Sequence, residues 1–119
     1  YHLSKLGIEQ ISRDHSYVEE LVNMGAITRE EAANHQKKNI ITRALGVDRS
    51  VECDYYECPL KSGDGILLCS DGLSNIVSDK EIHDCFLKNS SPEEVCNKLM
   101  ALALERGARD NVTVVLVKI

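Results

Sequence analysis

Four stretches of the chain carry the start signal of an α-helix, a Ser or Thr placed three residues before a Glu, which is the spacing of a capping box. They start at Ser16, Thr28, Ser78 and Ser91, and Pro92 takes the first helical position of the last. Apolar residues at helical spacing follow three of them: Val18, Leu21 and Val22; Ile82, Cys85 and Phe86; Val95, Cys96, Leu99, Leu102 and Ala103. We therefore predict three helices that face a core, with Gly25 and Gly107 ending the first and last, and one short exposed helix from Thr28 to about Asn34.

Apolar and β-branched runs predict strands at 38–44, 51–58, 65–70 and 111–118. A hairpin around Leu6-Gly7 is predicted to pair residues 2–5 with 8–12. The run at 65–70 does not alternate between apolar and polar residues, so we expect it to be covered on both faces. No repeat or linker divides the 119 residues, which correspond to one small domain at most.

The charge and the cysteines narrow the range of partners and compartments. The net charge is −5 and the isoelectric point is near 5.3, which argues against a nucleic acid or an anionic membrane as partner. We expect neither membrane insertion nor secretion, because there is no apolar run of 18 residues and no signal-like N-terminus. The five cysteines form no Cys-x-x-Cys pair and indicate free thiols in a reducing cytoplasm, with zinc binding or a disulfide as alternatives.

Two aspartates stand at the boundaries of strand-like runs. Asp71 directly follows the run that ends at Ser70, and Asp110 precedes the run from Val112 to Val117. A carboxylate at the tip of a buried strand suits a hard cation such as Mg²⁺ or Mn²⁺, which prefers oxygen ligands. The alternative is that each Asp serves only a turn, because Asp-Gly and Asp-Asn are common turn pairs.

Four motifs in order give the chain a resemblance to a known family. They are Ser12-Arg13-Asp14-His15-Ser16, residues 34–46 (NHQKKNIITRALG), residues 69–75 (CSDGLSN) and residues 108–113 (ARDNVT). Together they resemble the metal-dependent serine/threonine protein phosphatases of type 2C in their bacterial form. Two positions depart from the family pattern, since Ser12 replaces a Thr and Gln36 replaces a Pro.

The resemblance implies an α+β fold, part of a four-layer α-β-β-α sandwich that is incomplete at the N-terminus. It implies hydrolysis of phosphoserine and phosphothreonine in proteins by water bound at two Mn²⁺ or Mg²⁺ ions. By the same resemblance Asp71 and Asp110 are metal ligands, and Gly72 lets the backbone turn beside the ion. Asn111 either orients Asp110 or caps a turn. No catalytic residue is assigned, and the Asp14-His15 pair is interpreted instead as a helix entry at which Asp14 or Ser16 forms the cap.

The resemblance also implies that residues 1–119 are the C-terminal half of a catalytic domain, with a flap-like segment at about 17–38 and the remaining metal ligands upstream. An ordinary helical connection is the alternative for that segment. We expect the isolated chain to be inactive, and a non-catalytic fragment or regulatory interaction module is the alternative function. The expected partners are phosphorylated proteins and either the missing N-terminal half or a second copy of the chain. The expected location is the cytoplasm.

Overall fold

A computed structural model describes all residues, 1–119. Its elements are β1 (His2–Leu3), β2 (Ile8–Glu9), α1 (Tyr17–Asn23), α2 (Arg29–Ala33), β3 (Gly65–Cys69), α3 (Asp71–Ser74), α4 (Asp79–Lys88), α5 (Pro92–Glu105) and β4 (Val114–Lys118). They fall into two compact units, one of residues 1–11 and 57–119 and one of residues 12–56. None of the helices combines the length and the apolar character needed to cross a membrane.

The first unit contains a four-stranded antiparallel sheet in the order β2-β1-β3-β4. The predicted hairpin is confirmed as the short pair β1 and β2, in which His2 lies opposite Glu9. The predicted strands at 65–70 and 111–118 are confirmed as β3 and β4, which pair from Gly65 opposite Lys118 to Cys69 opposite Val114. The chain thus brings together two strands that are distant in sequence, and their ends define one edge of the site described below.

One face of this sheet packs against the helices of the first unit. The buried core contains Leu3, Leu67, Leu73, Val77, Ile82, Cys85, Phe86, Val95, Leu99 and Ala103. The apolar stripes predicted for α4 and α5 supply six of these ten side chains. Each helix thus buries its apolar face against the sheet. Burial raises the pKa of the Cys85 thiol, whose side chain therefore behaves as a small apolar group.

On β3 and β4 the opposite face of the sheet is apolar and exposed. Leu68 lies opposite Val115, and Ile66 lies opposite Val117, so these four side chains share one face. Leu68 is 58% exposed, Val115 47% and Val117 49%. The expectation that residues 65–70 are covered on both faces is therefore wrong for this chain, because the helices of the first unit cover only the face that carries Leu67.

The four predicted helices are present, and their ends follow the sequence signals. Complete capping boxes form at Thr28, Ser78 and Ser91. At Ser16 only half of the box forms, because the hydroxyl accepts a bond from the Glu19 amide while the Glu19 carboxylate pairs with Arg29. A fifth helix, the four-residue α3, was not predicted. It is shorter than the window over which helical periodicity can be recognised.

The second unit, residues 12–56, contains α1 and α2 but no regular strand. The strand predicted at 38–44 is wrong apart from a single bridge between Ser16 and Ile41, and residues 51–58 form no regular secondary structure. The amides of Lys38 and Ile40 instead bond to carbonyls three residues earlier, as in turns. A β-prone run becomes a strand only where another strand pairs with it, and Ile41 is left 66% exposed.

Candidate metal site

The two candidate metal ligands lie at the same end of the β3–β4 pair. Asp71 is the first residue of α3, two residues beyond the end of β3 at Cys69. Asp110 lies in the loop before β4, whose first residue Val114 pairs with Cys69. Both aspartates are exposed. The antiparallel pairing therefore brings together the two segments that carry these aspartates, which are 39 positions apart in the sequence.

Ser70 connects the two segments that carry these aspartates. Its hydroxyl donates to the Asn111 carbonyl oxygen at 3.0 Å and accepts from the Thr113 amide at 3.0 Å. Its main-chain amide donates to the Thr113 carbonyl oxygen at 3.1 Å. Three hydrogen bonds thus hold the residue before Asp71 against the residues that follow Asp110. Ser70 had no predicted role, and the signal that could have indicated one is a small hydroxyl residue directly before a predicted ligand.

Gly72 allows the same two segments to approach closely. A Cβ atom at this position would lie 2.2 Å from the Asn111 carbonyl oxygen and 2.9 Å from its carbonyl carbon. Gly72 is buried and is not among the glycines with a positive φ. The sequence-based explanation of Gly72, a sharp turn that needs its conformational freedom, is therefore corrected, because glycine is required by contact with the opposing backbone.

Asn111 contacts Asp110 through its main chain. The Asn111 amide donates to Oδ1 of Asp110 at 2.7 Å, while its carbonyl oxygen accepts from Ser70. A carboxylate that accepts a main-chain hydrogen bond has fewer accessible orientations, so the contact restrains Asp110. The contact uses the main chain of Asn111, so it restrains Asp110 without involving the Asn111 side chain.

The segment after Asp71 is anchored by buried apolar residues and by one arginine. Leu73 and Val77 are essentially inaccessible to solvent. Arg106, at the C-terminal cap of α5, donates to the Ile76 carbonyl oxygen at 2.9 Å and pairs with the carboxylate of Glu81. The hydrogen bonds from Arg106, and then those from Ser78, hold the pKa of Glu81 well below its ordinary value. These contacts thus hold the segment that follows Asp71 in place.

The donor set is suited to a hard cation but is incomplete within residues 1–119. Carboxylate oxygens are the ligands that Mg²⁺ and Mn²⁺ prefer. However, these residues contain no group of three or more His, Cys, Asp or Glu side chains placed to hold a metal ion. The chain by itself thus offers two carboxylates at one edge, fewer than a two-metal centre requires.

The histidine singled out in the sequence belongs to a separate cluster in the second unit. His15 Nε2 lies 2.7 Å from Oδ2 of Asp54, and Arg43 donates to Oδ1 of the same residue at 2.9 Å. These hydrogen bonds, first that of His15, lower the pKa of Asp54 to about 2. The predicted helix cap is confirmed at Ser16. Arg43 is therefore engaged in a structural ion pair.

Comparison with known proteins identifies the class to which this fold and site belong. Residues 20–119 match the family model described as stage II sporulation protein E. The chain is 42% identical over 118 residues to a serine/threonine phosphatase, stp, of Listeria welshimeri, covering 99% of this chain and 47% of that protein. The solved serine/threonine phosphatase of S. agalactiae superposes with a TM-score of 0.91 at 37% identity, over 99% of this chain and 49% of that one.

A third comparison concerns metal. The catalytic domain of the serine/threonine protein phosphatase PstP, solved in complex with two manganese ions, superposes with a TM-score of 0.77 at 39% identity, over 98% of this chain and 47% of that one. The chain belongs to the type 2C family of serine/threonine protein phosphatases, which are metal-dependent. The predicted α+β fold, as part of a type 2C phosphatase-like sandwich, is confirmed. The chain spans about half the length of the relatives it matches.

Proposed function

We propose that this chain contributes to a phosphatase that hydrolyses phosphoserine and phosphothreonine in proteins, with Mn²⁺ or Mg²⁺ as cofactor. The observation that carries the proposal is the position of Asp71 and Asp110 at one end of the β3–β4 pair, in segments joined by three hydrogen bonds. Membership of a metal-dependent phosphatase family supports it.

In this proposal Asp71 and Asp110 hold metal, while Gly72 and the main chain of Asn111 keep the two carboxylates close. When bound, the metal centre supplies positive charge and an activated water for attack on a phosphate ester. The remaining ligands come from polypeptide outside residues 1–119, because these residues lack a third candidate ligand. The negative charge of each carboxylate is expected to be essential for binding the cation, so that neutralising either aspartate abolishes metal binding at the site.

The exposed apolar face of the sheet supports association with further polypeptide. Leu68, Val115 and Val117 form a contiguous apolar surface, and β4 is an edge strand. Such a surface in water favours association. We propose that it is covered by the N-terminal half of the same domain and that the isolated chain self-associates instead. A concentration-independent monomer in size-exclusion chromatography of the isolated chain would contradict this, and Leu68→Lys should shift the chain toward monomer if it is right.

Residues 17–38, which contain α1 and α2, are proposed to act as a flap that influences substrate access. They lie within the second compact unit, residues 12–56, and not in the unit that contains Asp71 and Asp110. Segments that close over a site can control substrate access in this way. Phosphorylated proteins are the proposed substrates and the cytoplasm is the proposed location. An ordinary helical connection remains the alternative for residues 17–38, and a non-catalytic interaction module remains the alternative function because of the incomplete ligand set.

The test is hydrolysis of a phosphothreonine peptide with Mn²⁺ or Mg²⁺. We expect no activity above the metal-only background from the isolated 119 residues, and metal-dependent activity from the full polypeptide that carries them. Asp71→Asn should abolish that activity. Asp79→Asn is the matched control, because Asp79 is also an exposed aspartate in the first turn of a helix, α4. Equal activity of Asp71→Asn and the wild type would refute the proposal.

A further inference from the structure

We propose that Ser70 is a positioning residue whose hydroxyl sets the separation of the two candidate ligands, Asp71 and Asp110. This inference rests on the proposed metal site and adds a residue to it. Ser70 precedes one aspartate in sequence and contacts the residue that follows the other. It therefore acts on both carboxylates without being a ligand itself.

The Ser70 hydroxyl is used differently from the other helix-capping hydroxyls of the chain. Ser70 is the N-cap residue of α3, but its side chain makes no capping hydrogen bond to that helix. At the N-caps of α1, α2, α4 and α5, the Ser or Thr side chain accepts from the amide three residues later. The Ser70 hydroxyl instead turns to the loop before β4, so it stabilises contact between two segments rather than the start of a helix.

One hydroxyl fixes the loop at two points. Its proton goes to the Asn111 carbonyl oxygen and its lone pair receives the Thr113 amide, each at 3.0 Å. The two partners flank Val112, so the hydroxyl restrains both the position and the direction of the main chain that leads away from Asp110. Alanine at position 70 would keep only the main-chain bond to Thr113. The loop could then move relative to Asp71, and ligands that are less well oriented bind metal more weakly.

The experiment is a Mn²⁺ titration of the full polypeptide, followed by electron paramagnetic resonance of free Mn²⁺, for the wild type, Ser70→Ala and Ser70→Thr. We expect Ser70→Ala to lower Mn²⁺ affinity about ten-fold, as for other groups that orient metal ligands. Ser70→Thr keeps the hydroxyl and should restore the wild-type affinity. Hydrogen exchange should also be faster at the Thr113 amide in Ser70→Ala and not in Ser70→Thr.

Ser91→Ala is the control for a merely structural loss, because the Ser91 hydroxyl also accepts a main-chain amide hydrogen bond, here from Glu94 within its own helix α5. It should lower the melting temperature and leave the Mn²⁺ titration unchanged. If Ser70→Ala does not fold, Ser70→Cys takes its place, because the thiol keeps the shape but bonds weakly, and a smaller loss of affinity is expected. Wild-type Mn²⁺ affinity in folded Ser70→Ala, or in Ser70→Cys where it replaces Ser70→Ala, would overturn the positioning role. An equal loss of Mn²⁺ affinity in Ser91→Ala would overturn it as well.

Asp71→Asn separates this inference from the proposed function. If Asp71→Asn leaves the Mn²⁺ titration unchanged, the proposed metal site itself is wrong. If Asp71→Asn weakens Mn²⁺ binding and Ser70→Ala does not, the site stands and only the role of Ser70 fails.

Discussion

Replacing Gly72 by alanine tests whether close backbone contact, rather than backbone flexibility, determines this position. The added Cβ would lie 2.2 Å from the Asn111 carbonyl oxygen, whereas real Cβ atoms essentially never approach a heavy atom within 3.0 Å. The two segments must therefore separate by at least about 0.8 Å, and the obstacle is main chain that cannot rotate away as a side chain would. We expect a loss of about 2 kcal/mol in unfolding free energy, the middle of the range for overpacked sites.

Thermal unfolding of the full polypeptide measures this loss, which corresponds to a fall of roughly 5 °C in melting temperature. The separation should also weaken Mn²⁺ binding, because it moves Asp71 away from Asp110. Gly7→Ala is the matched control, since a Cβ at Gly7 meets no atom within 4 Å and the residue has no positive φ. Equal melting temperatures for Gly72→Ala and Gly7→Ala would refute the steric explanation.

Two further predictions concern the core and the second unit. Leu99→Ala should lower the unfolding free energy by about 2–5 kcal/mol, because Leu99 is fully buried. Leu104→Ala on the same helix is the control and should change the unfolding free energy little, because Leu104 is 64% exposed. Similar urea denaturation midpoints for the two variants would contradict the assigned core. The pKa of Asp54 should be near 2 by carboxyl ¹³C NMR and should rise toward 3.8 in His15→Ala, which removes the larger cause of its depression. Because the pKa of Asp54 is depressed in the folded state, the contacts of Asp54 stabilise residues 12–56 above pH 3.8 and lose that effect as the pH falls toward 2. An Asp54 titration midpoint that is the same in His15→Ala and in the wild type would contradict the assigned contact.

The helices were predictable because their signals are local. A capping hydroxyl, a Glu three residues later and an apolar stripe all act within one or two turns, and they placed α4 and α5 correctly from Ser78 and Ser91. The strands β3 and β4 were predictable for a related reason, since each is a strongly apolar run and the two pair with each other. The predicted strands at 38–44 and 51–58 failed because strand propensity does not specify a partner.

The candidate metal site also combines features that local sequence predicts with features that depend on contacts between distant residues. The candidate ligands, Asp71 and Asp110, could be predicted from the residues alone, because each carboxylate stands next to an apolar run within a family motif. The contacts that hold them in place could not be predicted in this way. The Ser70 hydroxyl bonds to residues more than 40 positions away, and Gly72 is required by the backbone of Asn111 rather than by its own φ. Such contacts depend on the pairing of β3 with β4, which closes a long loop, and local sequence patterns carry no information about the atoms that meet when it closes.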